Sequence, residues 1–420
     1  MKKRILILGN TAKAYALGKI LHKDGHEIYA LSGNDGMKEF AECIDIRDNS
    51  TKEILEFVLE NTIDMTIPLS DSAWKSDITD VFNNNNAAIF SPNKESYKIV
   101  SDKAYCKKLL YRLKIPTPKF GIFDKQNMAF DYLKNQKEPF VIKTNDSASA
   151  VILTSVKSAK NIIESVFAEK NNKIIIEDYV WGHPFAFYTL TDGFKAIPIG
   201  SSIIYKHALE GDGGQLTSGM GACSPDYKLS FDNEEYIMNN VIYPALAHLE
   251  AEGNPYVGIL GVNGILTETG EIKILGFQSF MQDCDCAGIL NLVDGDIYSL
   301  FESCIIGSFS DEVDFIPQKN LYAVSVALNC RNTADSENVI TGLDNIDSET
   351  IVSMNYTAQK NKYLEYEAKT GIPLIITSTA RNVSSASERA YNELKNIDFK
   401  GISYRKDICN SLNKETSTYC

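Results

Sequence analysis

Short apolar runs alternate with amphipathic stretches through the first hundred residues of the chain. Residues 4–9, RILILG, form an apolar run that ends at Gly9, and an amphipathic stretch, AYALGKILHKDG, follows it. Further apolar runs and helical stretches continue this order at 26–36, 51–61, 64–70, 74–84 and 87–91. The alternation predicts a parallel sheet with helices on both faces. Ligands of such sheets bind at the carboxyl ends of the strands, where we expect Gly9, Gly33 and Ser70.

Beyond Pro92 the pattern changes to helices and hairpins. Residues 94–114 predict one or two helices that end at IPTP, residues 115–118, because proline cannot continue a helix. PFVIKT at 139–144 and AVILTSV at 150–156 predict antiparallel strands around the loop TNDSASA. The later elements are a helix at 158–169, a strand at 173–180, a hairpin at 185–200 turning at Asp192-Gly193, a helix at 233–252, a hairpin at 257–280 and a helix at 386–395.

The composition excludes several classes of protein. The 420 residues carry 42 basic and 55 acidic side chains, and the resulting net charge of −13 disfavours nucleic acid as a partner. No apolar run approaches the roughly 20 residues needed to cross a bilayer. The apolar run near the first residue is also too short for a signal peptide. We therefore expect a cytoplasmic protein without a membrane partner.

The nine cysteines are scattered along the chain and odd in number, which is typical of reduced thiols rather than a disulfide framework. Only Cys284 and Cys286 lie close together, and no CxxC pair supplies further ligands for a zinc ion. Ordinary thiols are therefore favoured over a metal or redox site at this pair.

Several segments, in the same order, resemble one family of enzymes. GNDG at 33–36 resembles the family's Gly-Asn-x-Gly turn, and residues 91–120 resemble the entry into its ATP-grasp domain. The glycine-rich loop EGDGGQLTSGMGACSP, residues 210–225, is the most specific match. Three further matches to its closing domain are VITGL at 339–343, Arg381 and ISYRKDI at 402–408. In these segments the chain is similar to the phosphoribosylamine–glycine ligases (glycinamide ribonucleotide synthetases) of the ATP-grasp superfamily.

The resemblance and the hydrophobic pattern together predict a multidomain protein of the α/β and α+β classes. We expect an N-terminal parallel α/β domain, two ATP-grasp lobes at the centre and a C-terminal α/β domain. The predicted bounds are 1–100 for the N-terminal domain, 118–190 for the small lobe, 191–320 for the large lobe and 321–420 for the C-terminal domain.

The resemblance also implies an activity and a set of site residues. The family joins glycine to phosphoribosylamine in de novo purine synthesis: ATP phosphorylates the glycine carboxylate, and the amine then attacks the acyl phosphate. It implies nucleotide-binding roles for Lys107, Lys143, Glu177, Tyr179 and Val180. Substrate-binding roles are implied for Gly9, Gly33, Asn34, Asp212, Thr217, Gly219 and Met220. No catalytic residue is assigned.

Some of these residues also have a purely structural interpretation. Lys143 is consistent with an ordinary surface lysine, and Asp212 and Thr217 are consistent with residues that only shape a turn. His207 is more simply a solvated or hydrogen-bonded histidine than a base.

The positions expected to hold magnesium are altered in this chain. The family uses a Glu and an Asn two residues apart on one strand, so that both point to the same face. Gly276 and Gln278 occupy these positions here, and Asn263 on the preceding strand is a further neutral candidate. Magnesium prefers anionic oxygen ligands, so Gln278 and Asn263 are only weak metal candidates. We therefore expect ATP as a cofactor and disfavour magnesium.

Three other positions depart from the family's pattern. The loop at 144–150 lacks the family's glycines and its second lysine, and it adds Asp146. His183-Pro184 replaces the acidic pair that would hold the ribose hydroxyls. Phe280 replaces an arginine that would clamp a phosphate or carboxylate.

Three functional hypotheses remain open at this point. The first is a carboxylate–amine ligase of this family. The second is a catalytically impaired paralogue that binds a nucleotide or sugar phosphate as a regulatory protein. The third is a diverged ATP-grasp ligase for another acid, with Asp283 or Asp285 as metal ligands. In each case the expected partners are small molecules: a nucleotide, a sugar-phosphate amine and an amino acid.

Overall fold

The computed structural model describes residues 2–47, 50–145, 150–153, 155–168, 173–308, 320–331 and 338–409. Most of the loop at 144–150, including Asp146, therefore lies outside the described residues, as does Cys420. Within the described residues no helix is both long enough and apolar enough to cross a membrane.

The N-terminal domain contains a parallel sheet between helices, as predicted. Its elements are β1 (Arg4–Leu8), α1 (Ala12–Lys23), β2 (Glu27–Leu31), β3 (Ala41–Ile44), α2 (Thr51–Glu60), β4 (Met65–Pro68), α3 (Asp71–Trp74) and α4 (Ile78–Asn84). The strand order is β3-β2-β1-β4, and every pair is parallel. Along β1, Ile5 and Ile7 face the main core, whereas Leu6 and Leu8 face a second core with α2 and α4. Because both faces are buried, β1 is continuously apolar.

Two details of this domain differ from the prediction. The strand predicted at 87–91 is reduced to one parallel bridge between Ile89 and Thr66. Conversely, β3 was not predicted, because AECI is short and partly exposed and therefore has little hydrophobic pattern.

The next segment forms a small antiparallel sheet covered by two helices. Its elements are α5 (Lys98–Ser101), α6 (Lys103–Arg112), β5 (Phe120–Phe123), α7 (Gln126–Leu133), β6 (Phe140–Thr144), β7 (Ala150–Leu153), α8 (Val156–Ala168) and β8 (Ile174–Asp178). The strand order is β5-β8-β6-β7, which confirms the antiparallel pairing of β6 with β7. A separate apolar cluster joins the sheet to α7 and α8.

The rest of the chain is organised around one large antiparallel sheet. The remaining strands are β9 (His183–Asp192), β10 (Ala196–Ile204), β11 (His207–Leu209), β12 (Gly213–Leu216), β13 (Gly221–Ser224), β14 (Val257–Leu266), β15 (Ile272–Ser279), β16 (Tyr322–Cys330), β17 (Ile351–Met354), β18 (Ala358–Lys360), β19 (Tyr366–Ala368), β20 (Gly371–Ala380) and β21 (Ile402–Ser403). The sheet order is β15-β14-β9-β10-β13-β16-β20-β17, with β21 beside β16. Two ribbons, β11-β12 and β18-β19, lie outside it.

This sheet confirms both predicted hairpins and extends across the expected lobe boundary. The β9–β10 hairpin turns at Gly193, whose φ of +98° favours glycine, and β14 pairs with β15. Strands from both sides of residue 320 share the sheet, because β13 pairs with β16. The domain bounds given above remain predictions.

In the part of the chain that the structure describes, five helices accompany the large sheet: α9 (Phe231–Ile237), α10 (Tyr243–Ala251), α11 (Asp283–Leu292), α12 (Ile297–Ile306) and α13 (Val383–Leu394). The helix predicted at 233–252 is formed by α9 and α10 with a π-helical turn, Met238–Ile242, between them. Pro244 at the start of α10 has no N–H to continue the regular pattern. Helix α11 packs against both α1 and the large sheet, so its first turn lies where the N-terminal domain meets the large sheet.

Candidate functional site

Three of the predicted nucleotide-binding residues come together in one buried ionic cluster. Glu177 on β8 lies between Lys107 on α6 and Lys143 on β6. Its carboxylate is 3.3 Å from Lys107 Nζ and 2.9 Å from Lys143 Nζ. Two lysines and one carboxylate leave the cluster with one net positive charge. Lys143 is therefore a largely buried, ion-paired lysine rather than an ordinary surface lysine.

The cluster also connects the small sheet to the large one. Lys107 Nζ donates a hydrogen bond of 2.7 Å to Thr117 Oγ1, which donates one of 2.7 Å to the carbonyl oxygen of Ile274 on β15. Burial lowers the pKa of Lys107 to about 8, although the charge of Glu177 opposes this shift. Burial alone would raise the pKa of Glu177, but the two lysines hold it below its usual value.

The other two nucleotide-binding candidates lie in the connection between β8 and β9. Tyr179 and Val180 are half-buried there. Trp181 beside them is exposed, with its ring centroid 4.7 Å from that of Tyr179. At the end of this connection His183 Nε2 is 2.8 and 3.0 Å from the two carboxylate oxygens of the buried Asp226. The His183 ring is thus held in place by Asp226.

The metal candidates Gln278 and Asn263 are close together, but they bond to each other. Strands β14 and β15 place Asn263 opposite Gly276, and Asn263 Nδ2 donates to Gln278 Oε1 over 3.0 Å. Gln282 Nε2 donates to the same oxygen over 2.8 Å. Gln278 Nε2 in turn donates to the hydroxyl of Tyr188 over 2.5 Å. The only oxygen that Gln278 could offer a cation therefore already accepts two hydrogen bonds.

The acidic residues suggested as alternative metal ligands are also engaged. Tyr188 donates to Asp285 Oδ2 over 2.6 Å, and the backbone N–H of Gln282 donates to Asp285 Oδ1 over 2.8 Å. Burial raises the pKa of Asp285 to about 6, although these hydrogen bonds oppose the shift. Asp283 Oδ1 accepts the backbone N–H of Lys13 over 3.0 Å. No group of three or more His, Cys, Asp or Glu side chains able to hold a metal occurs among the described residues. The donors present therefore do not fit magnesium.

Phe280 lies in the main hydrophobic core rather than in an open clamp position. Its side chain is 3% exposed, and its φ is +71°. At Gly276, in contrast, an added Cβ would meet only the sulfur of Cys106, at 3.8 Å. There is thus open space beside Gly276, where an acidic side chain was expected. The position expected for an arginine is instead filled by the packed ring of Phe280.

The predicted substrate loop is held in shape by its own residues. Thr217 donates from both its backbone N–H and its hydroxyl to the carbonyl of Lys206, and its hydroxyl accepts the N–H of Gly219. A Cβ on Gly219, whose φ is +140°, would lie 3.0 Å from the sulfur of Cys284. Met220 is buried. Thr217 and Gly219 therefore help to hold the shape of this loop.

The candidates at the N-terminal sheet edge are also bound into the fold. Asn34 Nδ2 donates to the carbonyls of Asn10 and Met354, over 2.9 and 3.0 Å. A Cβ on Gly33 would lie 2.8 Å from that of Ala30, so the close approach requires glycine. At Gly9 the φ of +153° also favours glycine.

Two basic residues beside the glycine-rich loop, Arg405 and Lys206, were not identified from the sequence. Arg405 is only 2% exposed, and it pairs with Asp212 over 2.9 Å and with both oxygens of Asp407 over 2.8 and 2.7 Å. The match of ISYRKDI to the family included Arg405, but it could not show that Arg405 pairs with Asp212 and Asp407. Lys206 follows β10; burial lowers its pKa, while the charge of Asp285 raises it. No signal in the sequence distinguished Lys206 from other lysines.

Comparison with known sequences extends over most of the chain. Residues 3–99 match the N domain of phosphoribosylglycinamide synthetase, and residues 101–286 match its ATP-grasp (A) domain. The chain belongs to the phosphoribosylglycinamide synthetase family. This membership confirms the resemblance and the fold class inferred from the sequence.

Relatives of this family match along their whole length. The phosphoribosylamine–glycine ligase of Fusobacterium nucleatum is 27% identical over 417 residues, which cover 96% of this chain and 98% of the relative. That of Neisseria meningitidis serogroup A is 26% identical over 416 residues, covering 96% and 98%. Ligases of this kind act in purine synthesis, and ATP-grasp ligases use ATP.

Solved structures share the fold. The phosphoribosylamine–glycine ligase of Thermotoga maritima superposes with a TM-score of 0.81 at 21% identity, covering 96% of this chain and 100% of that one. The biotin carboxylase domain of the Hydrogenobacter thermophilus 2-oxoglutarate carboxylase, solved with MgADP, ADP and bicarbonate, gives 0.71 at 17% identity, covering 96% and 92%. The roles of individual residues in this family member remain predictions.

Proposed function

We propose that this family member binds an adenine nucleotide between its small and large sheets but transfers the phosphoryl group slowly or not at all. The observation that carries the proposal is the amide network at the metal positions. Gln278 Oε1 already accepts hydrogen bonds from Asn263 and Gln282, and Gly276 supplies no carboxylate. Magnesium, when bound in such a site, supplies the charge neutralisation that phosphoryl transfer requires.

The retained lysines support nucleotide binding. Lys107 is 2% exposed and is fixed by Thr117, whereas the Lys143 side chain is 14% exposed. Lys143 is therefore the more accessible cation for a nucleotide phosphate. Because Glu177 shares its charge with both lysines, the affinity for the phosphates should be modest. The affinity should also be independent of magnesium, because the oxygen of Gln278 is already occupied.

Calorimetry with ATP and ADP tests this proposal, in magnesium and in excess EDTA. We expect weak binding of both nucleotides and affinities that agree within about twofold between the two conditions. Phosphate release with glycine and phosphoribosylamine should remain at background. Strong magnesium dependence or robust phosphate release from the unmodified chain would overturn the proposal.

A ligase for another acid is the second candidate, and one observation favours it. The loop at 210–225 is held by Arg405 through Asp212, and Met220 within it lines a pocket of about 350 Å³. We propose a sugar-phosphate amine and an amino acid as the small-molecule partners of this region. A screen of phosphate release with carboxylic acids other than glycine tests this candidate.

A further inference from the structure

Two buried cysteines from distant parts of the chain lie together at β13. Cys223 is on β13 itself, and Cys409 lies beyond β21. Both are free thiols, with side chains that are 0% and 3% exposed, and both belong to the main hydrophobic core. None of the roles assigned above involves either thiol. The pair is therefore a candidate for chemistry of its own.

The packing around β13 brings the two residues to the same place. Alternate residues of a strand share a face, so Gly221 and Cys223 lie on one side of β13. An added Cβ on Gly221 would be 2.9 Å from two side-chain carbons of Ile408, so the neighbour of Cys409 packs on this side. The backbone N–H of Cys409 donates to the hydroxyl of Tyr205 over 3.1 Å, and the N–H of Tyr205 donates to the carbonyl of Gly221 over 3.0 Å. Tyr205 thus ties the backbone of Cys409 to β13.

The two thiols are in direct contact. They share a hydrogen bond, which is the largest of the effects that raise the pKa of Cys223, and burial is the next. Sulfur atoms in such contact already point toward each other, as the geometry of a disulfide requires. Because oxidants react with thiolates, a buried Cys223 with a raised pKa is protected while this contact stays closed.

The position of Cys409 connects this pair to the glycine-rich loop. Arg405, in the same segment at 402–409, pairs with Asp212 at the tip of the loop. We propose that Cys223 and Cys409 form a reversible disulfide under oxidising conditions, which fastens the segment of Arg405 to β13. This inference does not depend on the nucleotide proposal.

The oxidant is a small-molecule disulfide, such as oxidised glutathione. One cysteine thiolate attacks it, so that its S–S bond breaks, a mixed disulfide forms and one glutathione thiol leaves. The thiolate of the other cysteine then attacks the protein sulfur of the mixed disulfide and releases the second glutathione thiol. The two cysteines lose two electrons and two protons, and the two glutathione thiols carry both away. In a reducing compartment the same exchange runs backwards, so the bond is transient.

The first step requires the segment at 402–409 to open, because both sulfur atoms are buried. The ion pair of Arg405 with Asp212 opposes this opening. Arg405→Met should therefore speed formation of the disulfide about tenfold, since the closed segment loses a buried hydrogen-bonding group. Arg389→Met is the matched control, because Arg389 is an exposed arginine on α13 that pairs with Glu349. An equal rate in both variants would contradict this mechanism.

Peptide mass spectrometry of the full chain tests the proposal, after incubation with oxidised glutathione and alkylation of the remaining thiols. We expect a pair of peptides linked through Cys223 and Cys409, which dithiothreitol separates. Cys409→Ser should abolish the linked pair, and Cys304→Ser should not. Cys304 is a similarly buried thiol on α12 and donates to the carbonyl of Leu300 over 3.2 Å. Absence of the linked pair, or linkage of either cysteine to a third one such as Cys420, would overturn the inference.

A second measurement follows the loop itself. Hydrogen exchange in residues 207–217 should be slower in the oxidised chain than in the reduced one. Cys409→Ser, treated in the same way, should show no such difference. Equal exchange in the oxidised and reduced forms of the unmodified chain would refute the fastening of the loop. Because both measurements use the unmodified chain, they decide the outcome even if a variant does not fold.

Discussion

At the scale of single residues, the positions predicted to hold magnesium offer no side chain at Gly276 and an occupied oxygen on Gln278. An added Cβ at Gly276 has only the Cys106 sulfur within 4 Å, and no positive φ strains a substitution there. Gln278, in contrast, is only 6% exposed and is held by hydrogen bonds on both its oxygen and its nitrogen. Restoring a metal site therefore requires substitutions at both Gly276 and Gln278.

We expect Gly276→Glu combined with Gln278→Asn to bind magnesium–ATP more tightly than the unmodified chain does. The pair adds one anionic oxygen and shortens the amide, and both side chains point to the same face of β15. Calorimetry with and without magnesium measures the effect, and turnover should remain low. Gly276→Gln with Gln278→Asn is the control, since it has the same size without the charge. An equal gain in the control would show that these are not the metal positions.

Lys107 makes the stability of the protein depend on pH. Its pKa of about 8 in the folded chain lies below its ordinary value of 10.5, so between these pH values the unfolded chain binds more protons than the folded one. The contribution of Lys107 to the free energy of unfolding should therefore rise with pH in this window, by up to about 1.4 kcal/mol per unit. Chemical denaturation of the unmodified chain and of Lys107→Gln, from pH 8 to 10, measures how steeply the free energy of unfolding of each rises with pH. A slope no steeper than that of Lys107→Gln would mean that Lys107 is not buried as a charged group.

At the scale of elements, the glycine-rich loop depends on a distant segment for its shape. Arg405 and Asp407 hold the tip of the loop: Arg405 pairs with Asp212, and Asp407 accepts the N–H of Gly211 over 2.9 Å. Asp212 and Gly211 both have positive φ, at +54° and +64°. Conformations of this kind are maintained when surrounding contacts impose them.

We expect Arg405→Met to destabilise the protein by about 1–3 kcal/mol, because a buried hydrogen-bonding group is lost. Exposure of Asp212 limits the cost of leaving its carboxylate without a partner. Hydrogen exchange in residues 207–217 should accelerate more than exchange in β14, to which Arg405 makes no hydrogen bond or ion pair within the described residues. Arg405→Lys, which keeps the charge without the two-point geometry, should fall between. A uniform acceleration of hydrogen exchange along the chain would indicate general destabilisation rather than a specific effect of Arg405 on the loop.

At the scale of the whole molecule, the first turn of α11 joins the N-terminal domain to the large sheet. Thr11 precedes α1 without capping it through its side chain, and Asp283 of α11 instead accepts the N–H of Lys13. One residue further on, the Cys284 thiol donates to the carbonyl of Gly219 over 3.1 Å. The start of α11 therefore positions both the N-terminal turn and the substrate loop.

Asp283→Ala should lower the free energy of unfolding by about 1 kcal/mol, as the loss of a helix cap does. Asp283→Asn keeps an acceptor oxygen and should cost less. Thermal unfolding measures the loss, and neither variant should change ATP binding in magnesium or in EDTA. If Asp283→Asn abolished a magnesium-dependent component of binding, Asp283 would be a metal ligand, as the third hypothesis held.

The elements and the family could be inferred from the sequence because both depend on local patterns. Continuous apolar runs such as β1 identify buried strands, and the 210–225 segment identifies the family through its order of residue types. The absence of an acidic side chain at Gly276 could be read in the same way, because it follows from the residue type alone. The strand AECI was missed because its residues are partly exposed and give little pattern.

Only the tertiary structure decided what the retained side chains do. Glu177 is shared by Lys107 and Lys143, the oxygen of Gln278 is occupied, and Arg405 is paired with Asp212. These partners are distant in sequence: Arg405 and Asp212, for example, are 193 positions apart. Hydrogen bonds and ion pairs act over a few ångströms of space and not along the chain, so only folding determines which of these polar groups are already paired and which can still bind a ligand.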